Sequence, residues 1–366
     1  MMKRIVFLVS QLINSGPENV VFNICSQIDR RKFDPIIFSL KNEDPYRSIE
    51  NKFNDIGVEI YHFGFSTLEL ELRPSYVAQI IQKKLFEINC DILHAHCYHP
   101  NLVACNLKGL KTITTVHQIS GEDFVMKKGK VIGWYMKARF DRTLNQFNKV
   151  VVLSEYMREY YKDCAKELIK IPNGVYLHNN NLNVEAFRKE IGVNNTNPVV
   201  LVTGTLSDRK NVSYLLSELK RSKMAFNCFI LGDGDKYEEC LKIINNDSRF
   251  YMEGFKNNVA DYLAVADLYI SASKSEGLPM SVLEALNVGI PSLLSEIPPH
   301  IEIVEDMRVK GVCCFPLIRD GLRKKFEDTI GQSYEKQKIV SKAEKLYSSV
   351  SMAAKYQDLY NSILNN

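Results

Sequence analysis

Short apolar runs alternate with amphipathic stretches along the whole chain, and the alternation starts afresh after residue 197. In the first half, strands are predicted at 5–9, 35–40, 58–62, 91–94, 111–116 and 150–153. Helical patterns lie at 19–29, 75–89, 100–107 and 155–165. Runs such as 5–9, 150–153 and 199–202 are apolar at every position, not at every second one. Such strands are buried on both faces, which calls for a parallel sheet with helices on each side. The second half predicts strands at 199–203, 227–231, 250–253, 268–272, 291–294 and 312–315. Its helices are expected at 212–220, 237–245, 259–264, 280–287 and 301–306. Residues 170–198 gather turn formers: Pro172-Asn173-Gly174, an asparagine run at 179–181, and 194–198. The reading is α/β, with two doubly wound Rossmann-like domains facing a cleft. The first covers 1–172, a linker 173–197, and the second 198–345. A final helical stretch is predicted from 334 to 364.

Composition narrows the classes. Of 366 residues, 45% are hydrophobic and 25% charged, which excludes a disordered chain or a coiled coil. No apolar run approaches the ~20 residues of a membrane-spanning helix. Met1-Met2-Lys3-Arg4 before an apolar run mimics a signal peptide. The run is too short and no cleavage site follows, so it reads as the first buried strand. Nine cysteines without a C-x-x-C pair fit free thiols in a reducing cytoplasm. The positive charge is local. Lys127, Lys128, Lys130, Lys137, Arg139 and Arg142 face Asp141 alone between 124 and 142. They are interleaved with Phe124, Met126, Val131, Ile132, Trp134 and Tyr135. On one helix this mixture suits an anionic membrane surface, the alternative being a solvated helix face. Nucleic acid is excluded as a partner because the basic surface is so confined.

Chemistry concentrates in two segments. Ser273-Lys274-Ser275-Glu276-Gly277-Leu278-Pro279-Met280 joins a strand to a helix that carries Glu284. An open helix start binds anions, and two carboxylates beside it suit the hydroxyls of a sugar or ribose. Glu276 is expected in an exposed loop. Thr203-Gly204-Thr205-Leu206-Ser207-Asp208-Arg209-Lys210 follows the first strand of the second half, where Arg209 and Lys210 can neutralise a diphosphate.

With Lys170-Ile171-Pro172-Asn173-Gly174, Ser15-Gly16-Pro17-Glu18, Asp91-Ile92-Leu93-His94-Ala95-His96, Thr115-Val116-His117, Ile230-Leu231-Gly232-Asp233-Gly234 and Ala285-Leu286-Asn287-Val288-Gly289-Ile290-Pro291, these segments resemble retaining glycosyltransferase family 4, of the GT-B architecture. The resemblance spans almost the whole chain. It implies a first domain that binds the acceptor and a second that binds a nucleotide sugar. It also implies a last helix, 346–366, that packs back on the first domain. Glu276 would hold hydroxyls of the transferred hexose, Glu284 the ribose, and Lys210 with Arg209 the diphosphate. Gly277 and Leu278 would offer amides, Gly16 would let backbone approach the diphosphate, and His117 would face the anomeric centre. Two positions depart from the family's usual pattern: Thr205 stands where Arg often follows the glycine, and Pro17 stiffens the first loop.

Other patterns weigh less. Asp233-Gly234-Asp235 looks like a metal-binding D-x-D, but follows a strand where a turn is due. Gly232-Asp233-Gly234 is half a dinucleotide fingerprint, with Tyr237 where its third glycine belongs. His94 and His96 share a strand face and read as acceptor-site lining or packing, with a metal pair as a third option. The expected activity is a retaining, metal-independent transfer of a hexose or N-acetylhexosamine from a nucleotide-diphosphate sugar, UDP favoured. No cofactor is expected. The acceptor is a glycan or lipid-linked carrier in cell-surface polysaccharide synthesis. Lys127, Lys128, Lys130 and Trp134, with His94 and His96, fall on the acceptor and membrane side of a protein expected in the cytoplasm, either free or peripheral on the inner face of the cell membrane. A nucleotide-sugar epimerase and a non-catalytic binding partner are the alternatives.

Overall fold

The computed structural model describes residues 2–176, 182–193 and 197–365. The chain forms two compact units, Met1–Gly174 with Ser349–Asn366, and Val175–Ser348.

The first unit is built on β1 (Lys3–Val9), β2 (Phe33–Ser39), β3 (Glu59–His62), β4 (Ile92–His96), β5 (Lys111–Thr115), β6 (Lys149–Val152) and β7 (Leu168–Lys170). Their order across the sheet is β3-β2-β1-β4-β5-β6-β7, every pair parallel. β1 is apolar from Ile5 to Val9 because both faces are covered. β2 tolerates Pro35 because its ladder to β3 begins only at Ile36. β7 was not predicted: three residues at a sheet edge carry no period to read.

The second unit repeats the scheme with β8 (Val199–Thr203), β9 (Asn227–Leu231), β10 (Phe250–Gly254), β11 (Leu268–Ser271), β12 (Ser292–Ser295) and β13 (Val312–Phe315). The order is β10-β9-β8-β11-β12-β13, again all parallel. Val200, Val202, Cys228, Ile230, Leu268 and Ile270 face one side of the sheet. There they meet Leu215, Leu216 and Leu219 of the helix Val212–Lys220 and Phe326 of the helix Gly321–Thr329. In both sheets the strand order reverses once, between β1 and β4 and between β8 and β11. That is the doubly wound α/β arrangement.

Two predicted boundaries shift. The segment read as a linker holds the helix Val184–Glu190, with Asn183 capping it through Ala186. Phe187 is buried edge-on to Tyr262, and Arg188 reaches Asp267 and the carbonyl of Val265. The asparagine run at 179–181 lies outside the described residues. The single helix expected over 334–364 is two, Lys336–Tyr347 and Ser349–Asn365. Ser348 between them is extended and bridges to Val175.

Helix Ser349–Asn365 completes the core of the first unit. It packs on the helix Gly16–Gln27. Tyr360 and Tyr356 lie fully buried, their hydroxyls 2.9 Å from His94 Nδ1 and Thr115 Oγ1. The other His94 nitrogen stands 2.8 Å from Thr115 Oγ1. Tyr360→Phe would leave a buried imidazole nitrogen unpaired. It is expected to destabilise the protein by about 1–3 kcal/mol, measured as a lowered unfolding midpoint in urea.

Candidate functional site

In the second unit the loops leaving β8 and β11 separate where the strand order reverses, and such a crevice is where doubly wound sheets bind ligands. Residues 204–211 leave β8 and residues 272–279 leave β11. They are stitched by the amide of Lys274 donating to the carbonyl of Arg209 at 2.8 Å. Arg209 Nη1 lies 2.7 Å from Glu276 Oε2 and also donates to the carbonyl of Ser275 at 3.0 Å. Lys210 Nζ lies 2.7 Å from Glu276 Oε1, and Ser273 Oγ donates to the same oxygen at 2.8 Å.

Glu276 is therefore not in an exposed loop, as its surroundings in sequence suggested. It is 6% exposed, with Gly277 and Leu278 buried beside it. Two cations and a hydroxyl let the carboxylate leave water. Burial alone would raise its pKa, but Lys210 and then Arg209 overcome that and hold it well below the usual carboxylate range.

Glu284 projects, half-buried, from the helix Met280–Asn287. Tyr269 of β11 links it to Glu276. Its hydroxyl is 3.1 Å from Thr203 Oγ1 at the end of β8. Burial, with Glu284 and Glu276 adding to it against hydrogen bonds from Ser281 and Thr203, pushes the phenol up to about 12. Arg209, Lys210 and Glu276 form one bonded cluster, and Glu284 stands on the helix that the Glu276 loop opens.

The decoy motif serves this loop. A Cβ on Gly232 would stand 1.9 Å from the carbonyl oxygen of Gly204. Glycine is required where the turn after β9 crosses the start of the 204–211 loop. Leu206 N donates to the carbonyl of Asp233 at 2.9 Å, and Asp233 turns its carboxylate to the amide of Gly234.

Sequence reasoning missed His300, at the start of the helix Pro298–Met307. Its Nδ1 lies 3.0 Å from the carbonyl oxygen of Ser295, so Nδ1 carries the proton. Nε2 is buried without a partner among the described residues. Burial lowers its pKa to about 4, with Lys210 adding to that and Glu276 opposing it. The available signal was positional: Pro298-Pro299-His300 follows the strand next to β11.

In the first unit, Gly16 opens the helix Gly16–Gln27 beyond β1, and His117 follows β5. His117 Nε2 is 2.9 Å from Nδ1 of the buried His96. Burial holds His117 neutral, with a pKa near 3. His94 sits in the core between Tyr360 and Thr115, so it packs and does not line a surface. Glu18, quoted in sequence only as part of the first-loop motif, is buried. Its carboxylate accepts a hydrogen bond from the Ser15 hydroxyl, and burial, partly offset by that bond, raises its pKa to about 7.

The basic segment is not one helix face. Gly129, at φ 75° and ψ 173°, breaks the helix Ser120–Leu144 into two arms. The second arm crosses the first so closely that a Cβ on Gly133 would stand 2.6 Å from Val125 Cα. Lys127 is paired with Asp123, Lys137 with Asp141, and Arg139 with Glu71. Lys128 and Lys130 are exposed at the elbow beside Val131, 85% exposed, and Trp134, 57% exposed. No helix among the described residues is long and apolar enough to cross a membrane.

The buried histidines set a pH response. His94 near 3, His117 near 3 and His300 near 4 lie below the ordinary 6.5 because burial disfavours the cation. The unfolded chain then binds protons first on acidification. Their contribution is complete above about pH 6.5 and is lost as pH falls towards 4. Glu18 acts oppositely, since its raised value favours the folded state as pH drops from 7 to 4.5. Three imidazoles outweigh one carboxyl, so the melting temperature is expected to be lower at about pH 5 than at about pH 7.5. Calorimetry at the two pH values measures it.

Comparison with known proteins agrees with the two-unit α/β architecture. The model for Glycosyltransferase Family 4 matches residues 14–179, and the model for glycosyl transferases group 1 matches residues 183–346. The chain is 23% identical over 375 residues to the O-antigen biosynthesis glycosyltransferase WclY of Escherichia coli, covering 98% of each chain. It is 24% identical over 240 residues to the UDP-Gal:alpha-D-GlcNAc-diphosphoundecaprenol alpha-1,3-galactosyltransferase of Escherichia coli, covering 59% of this chain and 60% of that one. The crystal structure of Anabaena HepE in complex with UDP and glucose superposes with a TM-score of 0.78, at 18% identity over 99% of this chain and 100% of that chain. Two parallel-sheet α/β units and matches to both halves lead to one family: the chain belongs to the family 4 glycosyltransferases of the GT-B architecture.

Proposed function

We propose that the chain is a retaining, metal-independent transferase. It moves a hexose or N-acetylhexosamine from a nucleotide-diphosphate sugar, UDP in preference, to a glycan or lipid-linked acceptor in cell-surface polysaccharide synthesis. The observation that supports this best is the buried Glu276 between Arg209 and Lys210, at the reversal of the second sheet. A named relative works in O-antigen synthesis and another transfers galactose to a diphosphoundecaprenol-linked acceptor.

The roles follow from charge. Breaking the bond from the anomeric carbon to the diphosphate leaves negative charge on phosphate oxygens. Arg209 and Lys210, with the open N-terminus of the helix Met280–Asn287, stabilise that charge without a metal ion. Glu276 accepts hydroxyls of the sugar and Glu284 those of the ribose, with Gly277 and Leu278 lending amides. Gly16 is assigned to the diphosphate and His117 to the anomeric centre. The acceptor oxygen attacks on the face the phosphate leaves, and its proton passes to the departing phosphate oxygen. Retention of configuration then needs no enzyme nucleophile.

The exposed elbow at Gly129 is assigned to an anionic membrane surface carrying the acceptor. Lys128 and Lys130 supply charge, and Val131 and Trp134 supply apolar contact. Replacing both lysines by serine is expected to cost about 2 kcal/mol of vesicle binding, at about 1 kcal/mol per cation. Co-sedimentation with phosphatidylglycerol vesicles measures it.

The test of the activity is a panel of nucleotide sugars with a lipid-linked acceptor, in EDTA. Nucleotide release that requires the acceptor, with a product keeping the donor's anomeric configuration, is the expected result. Release without acceptor, or abolition by EDTA, contradicts it. Lys210→Ala is expected to weaken donor binding by about 1.5–3 kcal/mol, the range for a charged hydrogen bond, as read by titration calorimetry.

A further inference from the structure

The two cations best placed for a diphosphate are both turned onto one carboxylate. Arg209 and Lys210 each stand 2.7 Å from Glu276, on different oxygens. All three side chains are largely buried. A diphosphate that claims Arg209 and Lys210 must draw them from Glu276. That leaves an ionised carboxylate in a dry site, and an uncompensated buried charge is strongly unfavourable. Among the described residues, neither Ser273 nor His300 replaces the cations. Ser273 Oγ supplies one hydrogen bond. His300 cannot supply another, because its proton sits on Nδ1 facing the carbonyl of Ser295 and Nε2 offers only a lone pair.

What the carboxylate then requires is hydroxyl donors. A hexose attached to the diphosphate brings several, whereas the bare nucleoside diphosphate brings only its ribose hydroxyls, which are assigned to Glu284. We infer that Glu276 competes with the diphosphate for Arg209 and Lys210, and so makes the site select a nucleotide sugar over the bare nucleotide. This rests on the donor-site reading above. It adds that the same acid that holds the sugar penalises the product. Once the sugar has left, Glu276 recaptures its two cations and the nucleotide loses its hold. Glu276 is thus a specificity determinant for the nucleotide sugar over the product of its own reaction, as well as a sugar ligand.

The inference predicts opposite effects of one isosteric change on two ligands. Glu276→Gln removes the competing charge and also weakens the grip on sugar hydroxyls. Binding is measured by calorimetry for the sugar nucleotide that the donor panel selects and for its bare diphosphate. The wild type is expected to prefer the sugar nucleotide. In Glu276→Gln the bare diphosphate is expected to bind about tenfold tighter, the scale of one charge-assisted hydrogen bond. The sugar nucleotide gains less or loses affinity, so the preference falls. Should that variant fail to fold, Glu276→Asp, which keeps the charge on a shorter stem, is expected to shift the preference in the same direction by a smaller factor. An unchanged or weaker affinity for the bare diphosphate overturns the inference. So does a change of the same factor for both ligands, and in either case the transferase reading stands. A wild-type protein that binds neither ligand overturns the transferase reading, and the inference with it.

Discussion

A carboxylate can be buried only when something replaces water around it. In the second unit that requirement organises the site. Glu276 is held by a guanidinium, an ammonium and a hydroxyl from two different loops. The pairing fixes the loop after β11 against the loop after β8; the Lys274–Arg209 backbone bond holds the same two loops, and the Gly232–Gly204 crossing braces the loop after β8 against the turn after β9. Such a site is preorganised at the cost of carrying concentrated charge out of solvent. Replacing the trio by apolar residues of equal volume would serve stability as well or better. Its presence at a strand-order reversal is therefore best explained by chemistry.

The alternation of apolar runs made the fold readable. The strands β8, β9, β10 and β11 that place the site follow from runs of apolar residues and from the turn formers between them. Val199–Thr203 and Asn227–Leu231 coincide with their predicted limits, and a glycine, Gly204 or Gly232, follows each run. β7 escaped notice since a three-residue edge strand is defined by its partner Val150–Val152 and not by its own sequence. The break at Ser348 escaped for a related reason. The apolar spacing runs on through Leu346, Met352 and Tyr356 as in one helix, and the extended Ser348 between the two helices bridges to Val175.

The candidate site was legible in residue types and not in burial. Arg209, Lys210, Glu276 and Glu284 were identifiable because strand-to-helix loops concentrate function in this topology. That Glu276 is enclosed could not be read, because enclosure depends on cations sixty-odd residues away in sequence. His300 was invisible for the same reason: a histidine after two prolines has no local signature, and its meaning comes from Ser295 and Glu276. The basic helix misled in the opposite sense. Its composition was correct, but Gly129 redirects the chain, so the charges fall on an elbow and three of the six are spent on Asp123, Asp141 and Glu71.

The first unit shows how a terminal segment serves a distant residue. His94 and His96 alternate along β4, their rings 4.3 Å apart. His94 is fixed by Tyr360 from the last helix and by Thr115 of β5, and Tyr356 from the same helix fixes Thr115 in turn. His96 then holds His117. His94 and His96 are buried and His117 is partly so, and the loss of hydration keeps all three rings neutral, so each can accept as well as donate, and the chain of contacts sets which nitrogen of His117 is occupied by protein. Its Nε2 is engaged by His96, leaving Nδ1 as the atom from which any chemistry of that ring must proceed. A helix 240 residues downstream of His117 in the sequence, Ser349–Asn365, thereby underlies the orientation of an imidazole at the carboxyl end of β5. This is a physical reason for the chain to return to its first unit after completing the second.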